Sequence, residues 1–479
     1  VLRRLDAFDR GARPDGGPVS FETLERAAVA DRPAEAIRVA LAGEVDAAQA
    51  EMFARRHAGV AALLTALSGD DPAARVLRVG LWRRLHDVLG GPPPRALRVR
   101  AVIDFYYSMA ALRRHRAPGG PGLAARVAGL HWSRVAEGVE HALLDGHTDE
   151  GPLHVNLLAV APGCRISARD ARGTGDFAAW VAEQGACAGT SGGFFLYSEP
   201  DIRPPSARHD LVGLLVEDGR VRSPATLGRS CLVQEADGRF AVRRISPTAQ
   251  RVHLGDGRSL HIVGRNTPPP RDGGATAWDR AHGHRAPALP GPWIAVVGQQ
   301  ARWLPPGPAD IPLNGLLLAL PAGTHPAPGP IRWTTADPLP TAIAGGPRLL
   351  HGGAPDLDRP ADDLRGDAPP ITFSQDETWD QNLLPRMAAG VRRDGTLILA
   401  AIDGRNLDRA PGFTLAGTAA LLRHLGCAEA VNLDGGSSKR MAVDGRTLDL
   451  STTEVVVGQA KPARVRPVHS AVLVFPRGR

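Results

Sequence analysis

Lysine is nearly absent. Only Lys439 and Lys461 occur in 479 residues, so arginine carries almost all the positive charge behind the net +7. Aromatics make up 5% of the chain, and no aromatic platform alternates with a basic stripe. That argues against nucleic acid as the main partner, because single-strand binders need stacking faces beside their cations. The four cysteines, Cys164, Cys187, Cys231 and Cys427, form no C-x-x-C pair. A disulfide framework and a zinc site are excluded on spacing, and buried free thiols are expected. No apolar run reaches the roughly 18–20 residues of a membrane-spanning helix. There is no Walker loop and no G-x-S-x-G elbow, which removes two large classes of site. The N-terminal stretch has charge without an apolar core, so no secretory signal is read in it and a cytoplasmic location is expected.

What is present is a long, Gly- and Pro-rich chain with 43% apolar residues, enough for two domains. Residues 1–120 read as a small helical bundle. Asp71-Pro72 starts one helix, and apolar residues from Val76 to Leu89 recur at helical spacing until Gly90-Gly91. Similar patterns cover 34–67 and 96–115, and Phe105, Tyr106, Tyr107 and Met109 pack as core or form a binding face. This domain is the place for a protein partner. Residues 121–129, in the Gly-Pro-rich stretch that starts at Arg116, read as a linker.

From 130 to 479 the pattern changes to short β-type runs such as HVNLLAV at 154–160, WIAVVG at 293–298 and NGLLLAL at 314–320. Asp218-Gly219 and Asp237-Gly238 are hairpin turns. Near the C-terminus, TLILAAID ends a strand at Asp403, Thr414 caps a helix that Gly426 stops, and AEAVNLD ends a strand at Asp434. Strand, helix, strand favours a parallel pair, which places Asp403 and Asp434 at one sheet edge. The expected fold class is α+β: a mixed sheet flanked by helices, after an all-α domain.

Several motifs in order carry a resemblance. They are WSRVAEGVE at 132–140, SGGFF at 191–195, GRN at 264–266, AGGPRLL at 344–350, LPRMAAGV at 384–391, IDGR at 402–405 and VNLDGGSSKRM at 431–441. Over about residues 130–475 the set resembles the phosphodiester glycosidases, whose members include an enzyme that removes N-acetylglucosamine from a phosphodiester. The resemblance implies a hydrolase for the bond between a sugar's anomeric carbon and phosphate, acting on a sugar phosphodiester or nucleotide sugar. The chemistry asks for carboxylates as acid or base and arginines on phosphate oxygens. Asp434 is the first carboxylate, Asp403 its partner or orienter, and Asn432 orients a hydroxyl or carboxylate.

Arg386 and Arg405 are the phosphate candidates. Gly435, Gly436, Ser437 and Ser438 supply amides and hydroxyls. Gly192 and Gly193 admit a second close approach, with Phe194 and Phe195 as an apolar wall or as core. A structural turn at Asp434 and a bridging role for Arg386 remain open. Two glycines stand after Asp434 where the family carries three, and Leu196 stands where it carries Asp or Asn. These departures keep a second reading open, an inactive module that binds glycan or anionic ligands. Lys439-Arg440 instead favours a more anionic substrate. No cofactor is expected. The acidic loop with Asp356, Asp358, Asp362, Asp363 and Asp367 is solvated surface, with a bound calcium as its alternative, and His282 and His284 are solvated loop residues.

Overall fold

The structure is a computed structural model. It describes residues 120–148, 151–195, 210–270, 273–283, 285–297, 300–312, 315–325, 330–357, 362, 383–406, 409–450 and 466–478. The expected helical domain with its aromatic cluster lies outside these residues, as do Leu196, His284, Asp358, Asp363 and Asp367.

The α+β expectation is corrected. Of the described residues, 51% are in strand and 11% in helix, so the fold is mostly β, built from five sheets. Many strands are only two to five residues long and lie between Gly and Pro, which is why they read as loop. The α-helices among the described residues are short: Pro121–Ala128, Phe177–Glu183 and Leu415–His424. The first falls in the expected linker, and it buries Leu123 completely.

The sheet that positions the site has eight strands. Its centre runs Val139–Thr148, Gly151–Val160, Leu397–Ile402, Arg386–Arg392, Cys427–Leu433, each antiparallel to the next. Leu397–Ile402 is buried along its whole length. Leu397, Leu399 and Ala401 enter one core, with Leu158, Met387 and Leu433. Ile398, Ala400 and Ile402 enter another, with Val155, Leu157, Leu415, Leu421 and Leu422. This period of two sends alternate side chains to opposite faces. One face carries the helix Leu415–His424, and each fully buried leucine there contributes about 1.5–3 kcal/mol. The other face meets a five-stranded sheet that includes Ala188–Ser191, Met441–Val443 and Val468–Phe475. Residues 250–335 supply all strands of a seven-stranded sheet, whose core of Val252, Ile294, Leu316 and Leu318 is shared with Val216, Val233 and Ala342 of a second five-stranded sheet.

Turn chemistry agrees with the sequence. Asp218 (φ 47°) and Gly219 (φ 76°) link Leu215–Glu217 to Arg220–Ser223, the two positive φ values a tight hairpin asks for. Gly238 (φ 85°) turns Arg229–Gln234 into Phe240–Ile245. Thr414 Oγ1 accepts from the Gly417 amide at 2.9 Å and caps its helix. Thr414→Ala is expected to cost about 1 kcal/mol, read by urea denaturation; a loss indistinguishable from zero would show that the cap is idle.

The expected parallel pair is also corrected. Leu397–Ile402 and Cys427–Leu433 point the same way but are not neighbours, because Arg386–Arg392 lies between them and pairs antiparallel with both.

Candidate active site

That intervening strand defines the site. Arg386 pairs with Ile402, and Met387 with Leu433. Asp403 and Asp434 therefore leave the sheet on either side of Arg386, their backbones two strand spacings or about 10 Å apart. The Asp434 amide donates to Gly192 O at 2.9 Å and the Gly436 amide to Pro385 O at 2.8 Å, so the turn is tied to both its neighbours. A Cβ on Gly435 would stand 2.5 Å from Pro385 O and 3.1 Å from Arg386 Cα. These are backbone atoms, so only glycine passes there. Ser437 and Ser438 follow, buried, in the 3₁₀ turn Gly436–Ser438.

Asp403 is sealed from solvent, and both carboxylate oxygens are occupied. Oδ1 accepts from Lys439 Nζ at 2.6 Å, and Oδ2 meets His154 Nδ1 at 2.7 Å. Lys439 also donates to Asp449 Oδ2 at 2.9 Å, and Asp449 Oδ1 accepts the Met441 amide at 2.6 Å. Burial disfavours the ammonium, but the Asp403 and Asp449 carboxylates outweigh it and hold the Lys439 pKa above its ordinary value. The reading of Lys439 as a handle for an anionic substrate is thereby corrected, since its charge is 2% exposed and spent on two carboxylates.

Arg440 is different. It is 2% exposed, and its Nη1 donates to Ser437 O at 3.3 Å and Lys439 O at 2.5 Å. Its Nε and Nη2 have no hydrogen-bond partner among the described residues. Burial pushes its pKa below the ordinary arginine value, against the pull of Asp449. Arg386 is buried and its Nε donates to Phe413 O at 3.1 Å. Arg405 is buried at φ 61°, its amide bonded to Pro411 O at 3.2 Å. Asn432 Nδ2 donates to Gly346 O at 3.0 Å, while its Oδ1 is buried without a partner among the described residues.

The SGGFF turn is packed against protein. A Cβ on Gly192 would stand 2.4 Å from Ile343 Cδ1, and one on Gly193 would stand 2.4 Å from Ala344 O. Phe194 and Phe195 are buried, and Phe195 lies tilted against His469 with ring centres 4.3 Å apart. The structure thus gathers Asp403, Asp434, Asn432, Arg386 and the Gly435–Ser438 turn along one edge, while the glycines at 192–193 are filled by neighbouring strands.

Sequence reasoning missed His154 and Asp449, and read Arg440 only with Lys439, as favouring a more anionic substrate. His154 had a signal: with Asn156 it puts two polar groups on one face of an apolar strand. Asp449 gave none, because an acid after a hairpin reads as surface.

Among the described residues no group of three or more His, Cys, Asp or Glu side chains is placed to hold a metal. In the acidic loop, Asp356 pairs with Arg348, and buried Asp362 accepts the Ser230 amide at 2.6 Å and the Arg348 amide at 2.7 Å. His282 stands edge-on to Trp278. Among the described residues no helix is long and apolar enough to cross a membrane. All four cysteines are unbonded.

A layered β fold with carboxylates, arginines and a glycine turn at one sheet edge describes a class of site. The comparisons give it a family. Residues 319–475 match the family model described as phosphodiester glycosidase, and they form a domain of that family. The Gly151–Val160 strand and the SGGFF turn lie outside the matched span, yet both join it by hydrogen bonds. Over 85 residues the chain is 42% identical to the SPbeta prophage-derived uncharacterized protein YomE of Bacillus subtilis strain 168, covering 17% of this chain and 13% of that protein. Among solved structures, a hypothetical protein from Synechocystis is similar at 22% identity and TM-score 0.48, over 73% of this chain and 64% of that one. The catalytic domain of zebrafish N-acetylglucosamine-1-phosphodiester alpha-N-acetylglucosaminidase, auto-inhibited by its pro-peptide, is similar at 15% identity and TM-score 0.41, over 76% of this chain and 87% of that domain.

Proposed function

We propose that this protein is a hydrolase that cleaves the bond between a sugar's anomeric carbon and a phosphodiester. One observation carries the reading: Asp434, its Gly435-Gly436 turn, Arg386 and Asp403 meet at a single sheet edge inside the span that matches the family. Asp434 serves as the carboxylate beside the anomeric carbon, where positive charge develops. Asp403, with both oxygens bound, orients rather than reacts. Arg386, Arg405 and Arg440 hold the phosphate, and Arg440 offers its oxygens two nitrogens, Nε and Nη2, that have no hydrogen-bond partner among the described residues. The Ser437 and Ser438 hydroxyls and the turn amides add donors.

The test is release of free sugar from a panel of sugar phosphodiesters and nucleotide sugars, with N-acetylglucosamine compounds first. Release by the wild type supports the hydrolase. Thermal stabilisation by the same compounds without release moves the assignment to a glycan- or anion-binding module. Arg440→Met is expected to raise KM about 10- to 100-fold, the loss of one or two charge-assisted hydrogen bonds, with a smaller change in kcat. An unchanged KM removes Arg440 from the phosphate site.

A further inference from the structure

We propose that His154 is the proton-transfer residue of this edge, its ring held by Asp403 so that Nε2 takes a proton from the attacking water. The inference rests on the hydrolase reading. It begins with Asp403, which lies at the right edge but is fully sealed, one oxygen on Lys439 and the other on His154. A carboxylate so placed does not reach a substrate; it acts through what it touches.

His154 Nδ1 lies 2.7 Å from Asp403 Oδ2, and the Asp403 amide donates to His154 O at 3.0 Å, so backbone and ring are both fixed. With Lys439 holding Asp403 as an anion, Nδ1 carries the hydrogen and Nε2 the lone pair, the arrangement that makes an imidazole a base. Nε2 has no hydrogen-bond partner among the described residues, and the side chain keeps 7% of its surface open. The charged groups facing the ring are Asp403 directly, Asp145, which stands opposite His154 on the neighbouring strand, and, behind Asp403, Lys439 and Asp449, with Arg440 Nη1 3.8 Å from Asp449 Oδ2.

The chemistry asks for such a group. An ordinary glycoside expels an alkoxide and needs an acid on the leaving oxygen. A phosphate monoester, with a second pKa of about 6, leaves as the dianion without one. What remains is the deprotonation of water, which an imidazole with its Nε2 lone pair open to the site can perform. As the water oxygen bonds to the anomeric carbon, its proton passes to Nε2. The bond between the anomeric carbon and the bridging oxygen breaks, its electron pair staying on the oxygen that remains bonded to phosphorus. Free sugar and phosphate monoester result, one water is consumed, and the imidazolium returns its proton to solvent.

The experiment uses full-length protein with isotope-labelled histidine, in the wild type and in His154→Gln. The wild-type ring resonance that vanishes in the variant is expected to show hydrogen on Nδ1 and to titrate. A ring protonated on Nε2 at neutral pH, or one that never titrates, overturns the proposal whatever the turnover; His154→Asn makes the same assignment where His154→Gln does not fold. On sugar release, His154→Gln is expected to lower kcat about 10²- to 10⁴-fold with KM nearly unchanged. The acid limb of the kcat profile should be lost, and added imidazole should restore part of the rate. A variant that matches an active wild type overturns the role of His154 and leaves the hydrolase standing. A wild type silent on the whole panel overturns the hydrolase reading and the proton-transfer role together.

Discussion

Lys439→Met is expected to destabilise the protein by about 3–5 kcal/mol, the cost of leaving buried charge uncompensated. The ammonium is 2% exposed and touches Asp403 at 2.6 Å and Asp449 at 2.9 Å, both carboxylates themselves 0% exposed. Methionine fills the stem but leaves two anions facing each other with only Arg440 Nη1, 3.8 Å from Asp449 Oδ2, as a neighbouring cation. Asp449→Asn in the same background should recover part of the loss, since an amide oxygen still accepts the Met441 N–H that Asp449 Oδ1 accepts at 2.6 Å. The sign of the pH dependence follows from the raised Lys439 pKa. A lysine whose pKa is higher folded than unfolded contributes its full stability below the unfolded value, about 10.4, and loses it as pH rises through the folded value. Denaturant unfolding at neutral pH reads the effect. A loss under about 1 kcal/mol, the value of an exposed pair, would mean that the cluster is hydrated.

Asp434→Asn is expected to lower kcat for sugar release about 10²- to 10⁴-fold, the range that one positioned acid–base or charge-stabilising group supplies. The substitution keeps shape and removes charge. The turn is held through backbone, by the Asp434 amide on Gly192 O and the Gly436 amide on Pro385 O, and neither bond involves the carboxylate. The variant should therefore keep its circular dichroism spectrum and still bind the panel compound that the wild type cleaves. Turnover within tenfold of the wild type would place the reacting carboxylate elsewhere. Asp403 would not inherit the role, because both of its oxygens are occupied.

Much of the local structure was legible because its causes are local. Asp218-Gly219 announces a turn through the positive φ that glycine accepts freely, and Thr414 announces a helix start through its hydroxyl. The crossover from Asp403 to Asp434 placed both at one edge correctly, since two strands that point the same way end on the same side. Their adjacency was misread because a third strand, Arg386–Arg392, enters between them, and strand order depends on packing across the whole sheet. The α+β expectation failed for a related reason. Two- to five-residue strands between Gly and Pro have no periodicity of their own and become strands only when neighbours complete their hydrogen bonds.

The sequence by itself determined the chemistry on offer: the carboxylates, the arginines, the glycine turn, and the order of motifs that resembles one family. Only the tertiary structure decided which of these groups are sealed and paired. Lys439 looked like a surface cation and is a buried counter-ion, because Asp403, 36 residues before it, and Asp449, ten after, close around its ammonium. His154 looked like one polar residue in a strand and became the partner of a carboxylate 249 residues away. Burial and pairing are set by which strands meet, and charge does its work through what surrounds it.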